Sequence, residues 1–318
     1  ASVEFGSAQS FILNGSAEAT DSECYTLTTA QEYQSGSMWS SETIDLTAPF
    51  HLNFTARFGN NPAGADGIVF AFQSVGQNTI GSDGGSLGYE GISPSFATEF
   101  DIYRNADLGD SNFDHVAVLR NGNISHQNAD NLYGPLQAGL QPSIKDGEYH
   151  DIQIIWEPDE NRFFVYFDCE QRVFMTIDLV SDIFDGNPNV RWGFTASTGG
   201  QSSELTVCIG SASAETASAT YSACPGEPVQ FEEIAPPSYS YQWTPAEFLD
   251  DPEAPAPVAT VEVTTLFTAQ ITDGCGHTFS GEVAVEISDT LGVDLGGDRE
   301  ICEGDSALFV LPEGFDYS

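Results

Sequence analysis

Residues 99–105 of the chain read Glu-Phe-Asp-Ile-Tyr-Arg-Asn, and the run continues to Asp110 and His115 in the spacing E-x-D-x-Y-x-N-x4-D-x4-H. Acidic residues at every second position are expected on one face of a β-strand, and the Gly-, Asp-, Ser- and Asn-rich residues that follow are typical of a loop that folds back on it. Oxygen donors suit calcium, and an imidazole suits a transition metal. The stretch therefore predicts a loop on a β-scaffold that binds two metal ions, one of them calcium.

Length and charge exclude several classes of protein. The 318 residues are 40% hydrophobic and 12% aromatic, which is enough for two domains with cores and the start of a third. Eight basic against 48 acidic residues give a net charge of -40, so nucleic acid and anionic membrane surfaces are not expected partners. No apolar run approaches the roughly 18 residues of a membrane span, and the chain begins at Ala1 without a basic leader. We expect a processed, secreted or cell-surface product that does not insert into a membrane.

Cysteine spacing favours disulfides over a metal site. No two cysteines form a C-x2-C pair, which gives little support to a structural zinc site. Disulfides in an oxidising compartment are the better interpretation, although spacing alone leaves their connectivity open. The six cysteines are Cys24, Cys169, Cys208, Cys224, Cys275 and Cys302.

The hydrophobic pattern predicts an all-β sandwich. Runs rich in aromatic and β-branched residues alternate with turn clusters, and long helical periodicity is absent. The exception is a short helix or turn at residues 180–184, closed by Gly186-Asn187-Pro188. The clearest strand predictions are residues 50–58, 67–72, 151–156, 162–167 and 282–287.

A change of composition at residues 211–222 and an internal repeat divide the chain. Residues 224–231 (CPGEPVQF) match residues 302–309 (CEGDSALF) after 78 positions, a period typical of tandem modules. We predict domains at residues 1–212, 213–288 and 289–318. The last two resemble immunoglobulin-like or PKD-like modules of Bacteroidetes-type surface proteins, the third being truncated and followed by further C-terminal modules. That resemblance implies a Cys224–Cys275 bridge beside Trp243. The partner of Cys302 would then be a cysteine beyond residue 318.

The first domain resembles a known family in four ordered motifs. These are residues 65–72 (ADGIVFAF), 84–89 (GGSLGY), the metal loop 99–115, and 190–199 (VRWGFTASTG). Together they resemble the L-type (legume-type, concanavalin-like) lectin domain of bacterial proteins. The resemblance implies a concanavalin-like jelly-roll sandwich at the start of the chain, followed by an immunoglobulin-like sandwich and the start of a second. It also favours a Cys24–Cys208 disulfide, because the first and last strands are neighbours in that fold.

The resemblance assigns two metal sites to the loop. Calcium would be bound by Asp101, the carbonyl of Tyr103, Asn105 and Asp110. A second ion, such as Mn²⁺, would be bound by Glu99, Asp101, Asp110 and His115. Solvated acidic residues are the alternative interpretation of the same positions.

The resemblance also implies a sugar site. A cis peptide at Ala65-Asp66 would let Asp66 and Asn105 hydrogen-bond two vicinal hydroxyls, with the amide of Gly85 as a further donor. Tyr103 would stack on the sugar ring or belong to the core.

Ligand specificity in this family comes largely from the loop after the Thr198-Gly199 turn. Gln201 and Ser202 are the expected contacts there, and a solvated hairpin is the alternative.

Catalysis is not expected. Concanavalin-like sandwiches also include glycoside hydrolases with an E-x-D-x-(x)-E strand, but Tyr103 or Arg104 stands where the second catalytic glutamate is required. The histidines occur without a G-x-S-x-G motif, which argues against a Ser-His-Asp hydrolase. The sequence favours a calcium-dependent lectin of an adhesin that binds cell-surface glycans or polysaccharides. The alternatives are a glycoside hydrolase and a filament or stalk protein that binds protein.

Overall fold

The computed structural model describes residues 10–209, 218–235, 237 and 239–287. Regular structure in these residues is almost entirely β. In residues 10–209 the strands are β1 (Phe11–Gly15), β2 (Glu18–Ala19), β3 (Cys24–Thr28), β4 (Ser35–Ser40), β5 (Ile44–Asp45), β6 (Phe50–Arg57), β7 (Gly67–Gln73), β8 (Ser95–Asp101), β9 (His115–Arg120), β10 (Asn131–Gln137), β11 (Tyr149–Glu157), β12 (Arg162–Phe167), β13 (Glu170–Thr176), β14 (Asn189–Ser197) and β15 (Leu205–Cys208). Helical turns occur at Gly84–Ser86, Pro158–Glu160 and α1 (Leu179–Asp182).

Two antiparallel sheets form the first unit. The front sheet has the order β1-β4-β14-β7-β8-β9-β10, with β5 also paired to β14, and the back sheet has the order β13-β12-β11-β6-β15-β3-β2. The predicted strands at 50–58, 67–72, 151–156 and 162–167 correspond to β6, β7, β11 and β12. The short helix predicted at residues 180–184 overlaps α1, where the side chain of Asp178 accepts a hydrogen bond from the Ser181 amide.

Alternation along β8 separates the core from the functional face. Phe96 and Phe100 belong to the main hydrophobic cluster between the sheets. Ala97 packs in a second, smaller cluster on the opposite face of the front sheet. Because side chains alternate across a strand, Glu99 and Asp101 lie on the same face as Ala97, away from the main core. The two-residue period of the sequence therefore sets which side of the front sheet carries the acids.

A second β unit follows in residues 218–287. Its strands are β16 (Ser218–Ala223), β17 (Pro228–Gln230), β18 (Ser240–Thr244), β19 (Val258–Thr260), β20 (Thr265–Thr272) and β21 (Thr278–Ile287), with a helical turn at Ala246–Phe248. They form a four-stranded sheet, β16-β21-β20-β18, and the pair β17-β19. Trp243 and Phe267 are fully buried in a hydrophobic cluster of this unit's own. The immunoglobulin-like assignment stays a prediction, and the third module predicted at residues 289–318 lies outside the described residues.

The disulfides differ in part from those expected. Cys24 is joined to Cys208, as predicted, and β3 pairs with β15 at these residues. The predicted Cys224–Cys275 bridge is wrong, because Cys275 is joined to Cys169 of the first unit. Cys275 lies in the turn between β20 and β21, and this turn packs on the turn between β12 and β13. Cys224 is exposed and has no disulfide partner among the described residues.

The second unit packs on the outer face of the back sheet. Gln153 Nε2 of β11 donates a hydrogen bond of 2.7 Å to Asp273 Oδ2, and both groups are buried. The ring of His51 meets that of Phe279 edge to face, 4.5 Å between centroids. Asn53 Nδ2 donates to the Tyr239 hydroxyl. Aromatic, polar and covalent contacts thus fix the two units together.

In the described ranges, no helix has the length and apolar character needed to cross a membrane.

Candidate metal and sugar site

The metal loop joins two neighbouring strands of the front sheet. Asp101, the last residue of β8, stands directly opposite His115, the first residue of β9. Residues 102–114 form the loop that connects these two strands. The pairing of the strands therefore places two potential metal ligands, Asp101 and His115, side by side at the ends of one loop. Glu99 is 1% exposed, Asp101 4% and His115 1%. Acids so deeply buried need a cationic or hydrogen-bonding partner.

The calcium-type positions converge within this loop. Asp101 Oδ1 accepts a hydrogen bond of 2.7 Å from the Tyr103 amide, and Asp110 Oδ2 accepts one of 2.5 Å from the Asn105 amide. The remaining oxygens, Asn105 Oδ1 and Asp110 Oδ1, are buried and accept no hydrogen bond from the described residues. Buried oxygen donors that accept no hydrogen bond fit a hard divalent cation such as calcium.

A transition-metal-type cluster lies beside these positions. Asp101, Asp110 and His115 have ligand atoms close enough to share one ion, and so do Glu99, His115 and His126. His126 Nε2 lies 3.0 Å from Glu99 Oε1 and 3.4 Å from Asp110 Oδ1. The sequence pattern placed Glu99, Asp101, Asp110 and His115 here. It missed His126.

The turn after β9 brings His126 to the site. The His126 amide donates to the carbonyl of Leu108 over 2.9 Å. Gln127 Nε2 donates to the carbonyl of Asp107 over 3.0 Å. These bonds fasten the turn to the metal loop. Nothing in the spacing E-x-D-x-Y-x-N-x4-D-x4-H extends to position 126, and only the fold brings it near.

The protonation equilibria reflect the crowding of acids. Burial and the charges of Glu99 and Asp110 hold the pKa of Asp101 well above its usual range. Burial would also raise the pKa of Glu99, but His115 and His126 together hold it below its usual value. Although burial opposes protonation of His126, Asp110 and Glu99 raise its pKa to about 10. A cation bound in this cluster would offset the charges that shift these pKa values, as expected for a cation site.

A buried ion pair between Lys145 and Asp114 stabilises the metal loop. Lys145 Nζ lies 2.7 Å from Asp114 Oδ1, with both side chains at most 10% exposed. Lys145 also donates to the carbonyl of Ile102. Asp114 Oδ2 accepts from Ser143 Oγ at 2.7 Å and from the Ile144 amide at 2.9 Å. Both ends of the metal loop are therefore tied to residues 143–145.

A cleft opens next to the metal loop. Its volume is about 390 Å³, and its lining residues are Tyr33, Ala65, Asp66, Gly84, Gly85, Tyr103, Asn105, Gly199, Gly200 and Gln201. The Ala65-Asp66 peptide is cis, as expected. A Cβ at Gly85 would lie 3.0 Å from three side-chain atoms of Asn105, which is closer than ordinary van der Waals contact. Glycine is therefore the residue that fits this position without displacing Asn105.

Asp66 is a buried carboxyl at the base of the cleft. It is 3% exposed, and its Oδ2 has no hydrogen-bond partner among the described residues. Burial, with a contribution from the charge of Asp83, raises the pKa of Asp66 to about 7. A buried carboxyl that lines a cleft and has an oxygen without a hydrogen-bond partner is suited to accept hydrogen bonds from the hydroxyls of a ligand.

Two exposed tyrosines lie at the cleft. Tyr103 is 40% exposed, so its ring is not part of the core. Tyr33 is 67% exposed, and its amide donates to the Gly199 carbonyl over 3.1 Å. The sequence did not indicate Tyr33, because its only local signal is an isolated aromatic in a polar loop. Gln201 lines the cleft as expected, whereas Ser202 is not among the lining residues.

Comparison with solved structures identifies the fold. Lectin II from Ulex europaeus matches with a TM-score of 0.52 and 17% identity, over 62% of this chain and 89% of that one. A lectin from Bauhinia forficata in complex with GalNAc matches with a TM-score of 0.51 and 17% identity, over 64% and 91%. The lectin UEA-II complexed with galactose matches with a TM-score of 0.50 and 15% identity, over 62% and 89%.

The family profile described as the legume lectin beta-barrel domain matches residues 5–211. This range contains both sheets of the first unit, the metal loop and the cleft. The chain therefore belongs to the legume-type lectin family.

Proposed function

We propose that this protein binds carbohydrate in a calcium-dependent manner, at the cleft between Asp66, Gly85 and Asn105. The observation that carries the proposal is the convergence of two buried, unpaired oxygens, Asp66 Oδ2 and Asn105 Oδ1, at a cleft that adjoins the metal loop. Members of the legume lectin family are carbohydrate-binding proteins without enzymatic activity, and they typically bind Ca²⁺ and Mn²⁺. The cofactors proposed for this chain are Ca²⁺ and a second, transition-metal ion.

Asn105 connects the ion to the ligand. Asp101, Asp110, the Tyr103 carbonyl and Asn105 Oδ1 would hold calcium, which would supply positive charge to a loop crowded with acids. Asn105 Nδ2 is then free to donate to a sugar hydroxyl. Loss of calcium would leave the buried oxygens without a partner and release the amide from its position.

The ligand is a sugar with two vicinal hydroxyls. Asp66 accepts hydrogen bonds from them, and the Gly85 amide and Asn105 donate. The rings of Tyr33 and Tyr103, both exposed at the cleft, pack on the apolar face of the sugar ring. Gln201 adds a polar contact at the rim. Galactose and GalNAc, named with two of the similar lectins, are the first sugars to test.

The lectin acts in a secreted or surface-displayed adhesin. The net charge of -40 and the disulfides support an extracellular setting. The second unit then acts as a spacer that presents the cleft to cell-surface glycans or polysaccharides. Its contacts with the back sheet leave the metal loop and the cleft uncovered.

A glycan array with and without a calcium chelator tests the proposal. We expect binding that disappears on chelation and falls at least about 100-fold in Asp66→Ala, because charge-assisted hydrogen bonds are lost. Asn105→Ala should lose glycan binding and also bind calcium more weakly, because Asn105 is proposed to contact both. Asp159→Asn, an exposed acid far from the cleft, is the matched control and should bind as wild type.

Tyr33→Ala separates sugar stacking from general stability. We expect a loss of about 5- to 10-fold in sugar affinity with an unchanged thermal midpoint, since the ring is exposed and makes no core contact. Binding that survives chelation, Asp66→Ala and Asn105→Ala would refute the mechanism. Release of reducing sugar from a polysaccharide would instead favour a glycoside hydrolase.

A further inference from the structure

The metal cluster contains one imidazole more than the sequence motif supplies. His115 Nε2 and His126 Nε2 are 3.0 Å apart, with their rings at 76°. Both side chains are at most 3% exposed, and Glu99 and Asp110 beside them are 1% exposed. Two imidazole nitrogens and two carboxylates thus meet in a space closed to solvent.

The distances match those between ligands of a single ion. Atoms bound about 2.1 Å from one metal are about 3.0 Å apart at a right angle and about 3.4 Å apart at the tetrahedral angle. His126 Nε2 is 3.0 Å from Glu99 Oε1 and 3.4 Å from Asp110 Oδ1. His115 Nε2 is 3.4 Å from Glu99 Oε1. Every one of these separations falls within that range.

Hydrogen bonding alone leaves the cluster incomplete. Glu99 Oε1 and Asp110 Oδ1 are buried and accept no hydrogen bond of suitable geometry from the described residues. The contact between the two Nε2 atoms can use only one proton. A cation bound by Glu99, His115 and His126, whose ligand atoms are close enough to share one ion, would satisfy these groups, and Asp110 Oδ1 lies 3.4 Å from His126 Nε2 beside them.

We propose that His126 is a direct ligand of the second metal ion, and that a site with Glu99, Asp110, His115 and His126 selects zinc over manganese. This inference rests on the metal-binding part of the proposed function and not on the sugar. The turn that carries His126 is held on the metal loop by a backbone hydrogen bond to Leu108, so the imidazole is placed before any ion arrives.

The ligand chemistry sets the expected preference. Carboxylate, carbonyl and water ligands suit manganese, whereas imidazole suits zinc, nickel and copper, and affinity rises from manganese toward copper along the series. Each imidazole that replaces an oxygen ligand increases the advantage of zinc. His126 should therefore determine the ratio of zinc to manganese affinity more than it determines binding of either ion alone.

The test titrates the EDTA-treated full chain with Zn²⁺ or Mn²⁺ in saturating Ca²⁺ and without sugar. X-ray absorption of the zinc-loaded protein counts the imidazole ligands. We expect two imidazoles in wild type and one in His126→Gln. Zinc affinity should fall more than about 100-fold in this variant, beyond the loss typical of a residue that only supports a ligand, and manganese affinity should fall less. His150→Gln, a buried histidine on β11, is the matched control and should leave zinc binding unchanged.

One imidazole in wild-type protein would overturn the proposal, as would an equal loss of zinc and manganese affinity in His126→Gln. If that variant does not fold, the ligand count in wild type decides alone. Because no sugar is present, a failure of glycan binding would leave these results unaffected. Two imidazoles in a protein that binds no glycan would refute the sugar function and retain the zinc site.

Discussion

Gly85→Ala should weaken sugar binding through a contact of a single methyl group. The added Cβ would meet Cγ, Nδ2 and Oδ1 of Asn105 at 3.0 Å each, where ordinary contact begins at 3.4 Å. Asn105 must then move by about 0.4 Å. Its backbone amide is held by Asp110 Oδ2 at 2.5 Å, so the loop cannot simply follow.

The expected size follows from the hydrogen bond that is lost. A hydrogen bond between neutral groups, as between the Asn105 side-chain amide and a sugar hydroxyl, contributes about 0.5–1.5 kcal/mol, which corresponds to a loss of roughly 2- to 10-fold in affinity. Isothermal titration with sugar in saturating calcium measures it, together with calcium affinity and thermal midpoint. The amide of residue 85 is retained in the variant, so the change isolates the steric contact.

Gly274→Ala is the matched control, because its added Cβ meets no atom within 4 Å. It should bind sugar as wild type does. The reasoning is refuted if Gly85→Ala binds sugar and calcium within about twofold of wild type, since the methyl group would then fit without displacing Asn105.

Two further predictions concern the contact between the units. The Cys169→Ser/Cys275→Ser double variant removes a link across 106 residues and should lose up to about 4–5 kcal/mol of unfolding free energy in denaturant titrations; equal stability of variant and wild type would contradict this. Burial lowers the pKa of His51 to about 4, only partly opposed by the charge of Asp273. The folded pKa is below that of the unfolded chain, about 6.5, so the unfolded state binds the proton first and stability should fall by about 3 kcal/mol as pH drops from 6.5 to 4. The thermal midpoint should depend less on pH across this range in His51→Phe than in wild type. The same pH dependence in both proteins would be evidence against attributing the effect to His51.

The sequence predicted the parts of the site that lie in continuous segments. Glu99, Asp101 and His115 follow from strand alternation and a loop of fixed length, and the cis Ala65-Asp66 peptide followed from the family resemblance. His126 and Tyr33 did not, because separate turns bring them to the site through backbone bonds to Leu108 and Gly199. No pattern in a single sequence records such contacts between loops.

The wrong disulfide has a related cause. Cys224–Cys275 was inferred from a resemblance that treats the second unit as an isolated sandwich. The actual partner, Cys169, lies in the turn after β12, where Asp168 and Cys169 both have positive φ. That conformation is typical of a two-residue hairpin turn and presents the thiol at the end of the back sheet. Packing between units determined the pairing, and periodicity within one unit carries no information about it.

The Cys169–Cys275 bridge also determines how the protein would carry mechanical load. A pull on the second unit reaches the first through a covalent bond at the β12–β13 turn, reinforced by the buried Gln153–Asp273 hydrogen bond. The force therefore enters the back sheet, on the side of the sandwich opposite the front-sheet face that carries the metal loop. Tension that passes between the two units is thus taken up by the bridge and the back sheet, at residues other than Asn105 and the rest of the metal loop, so that strain at the junction does not distort the loop first.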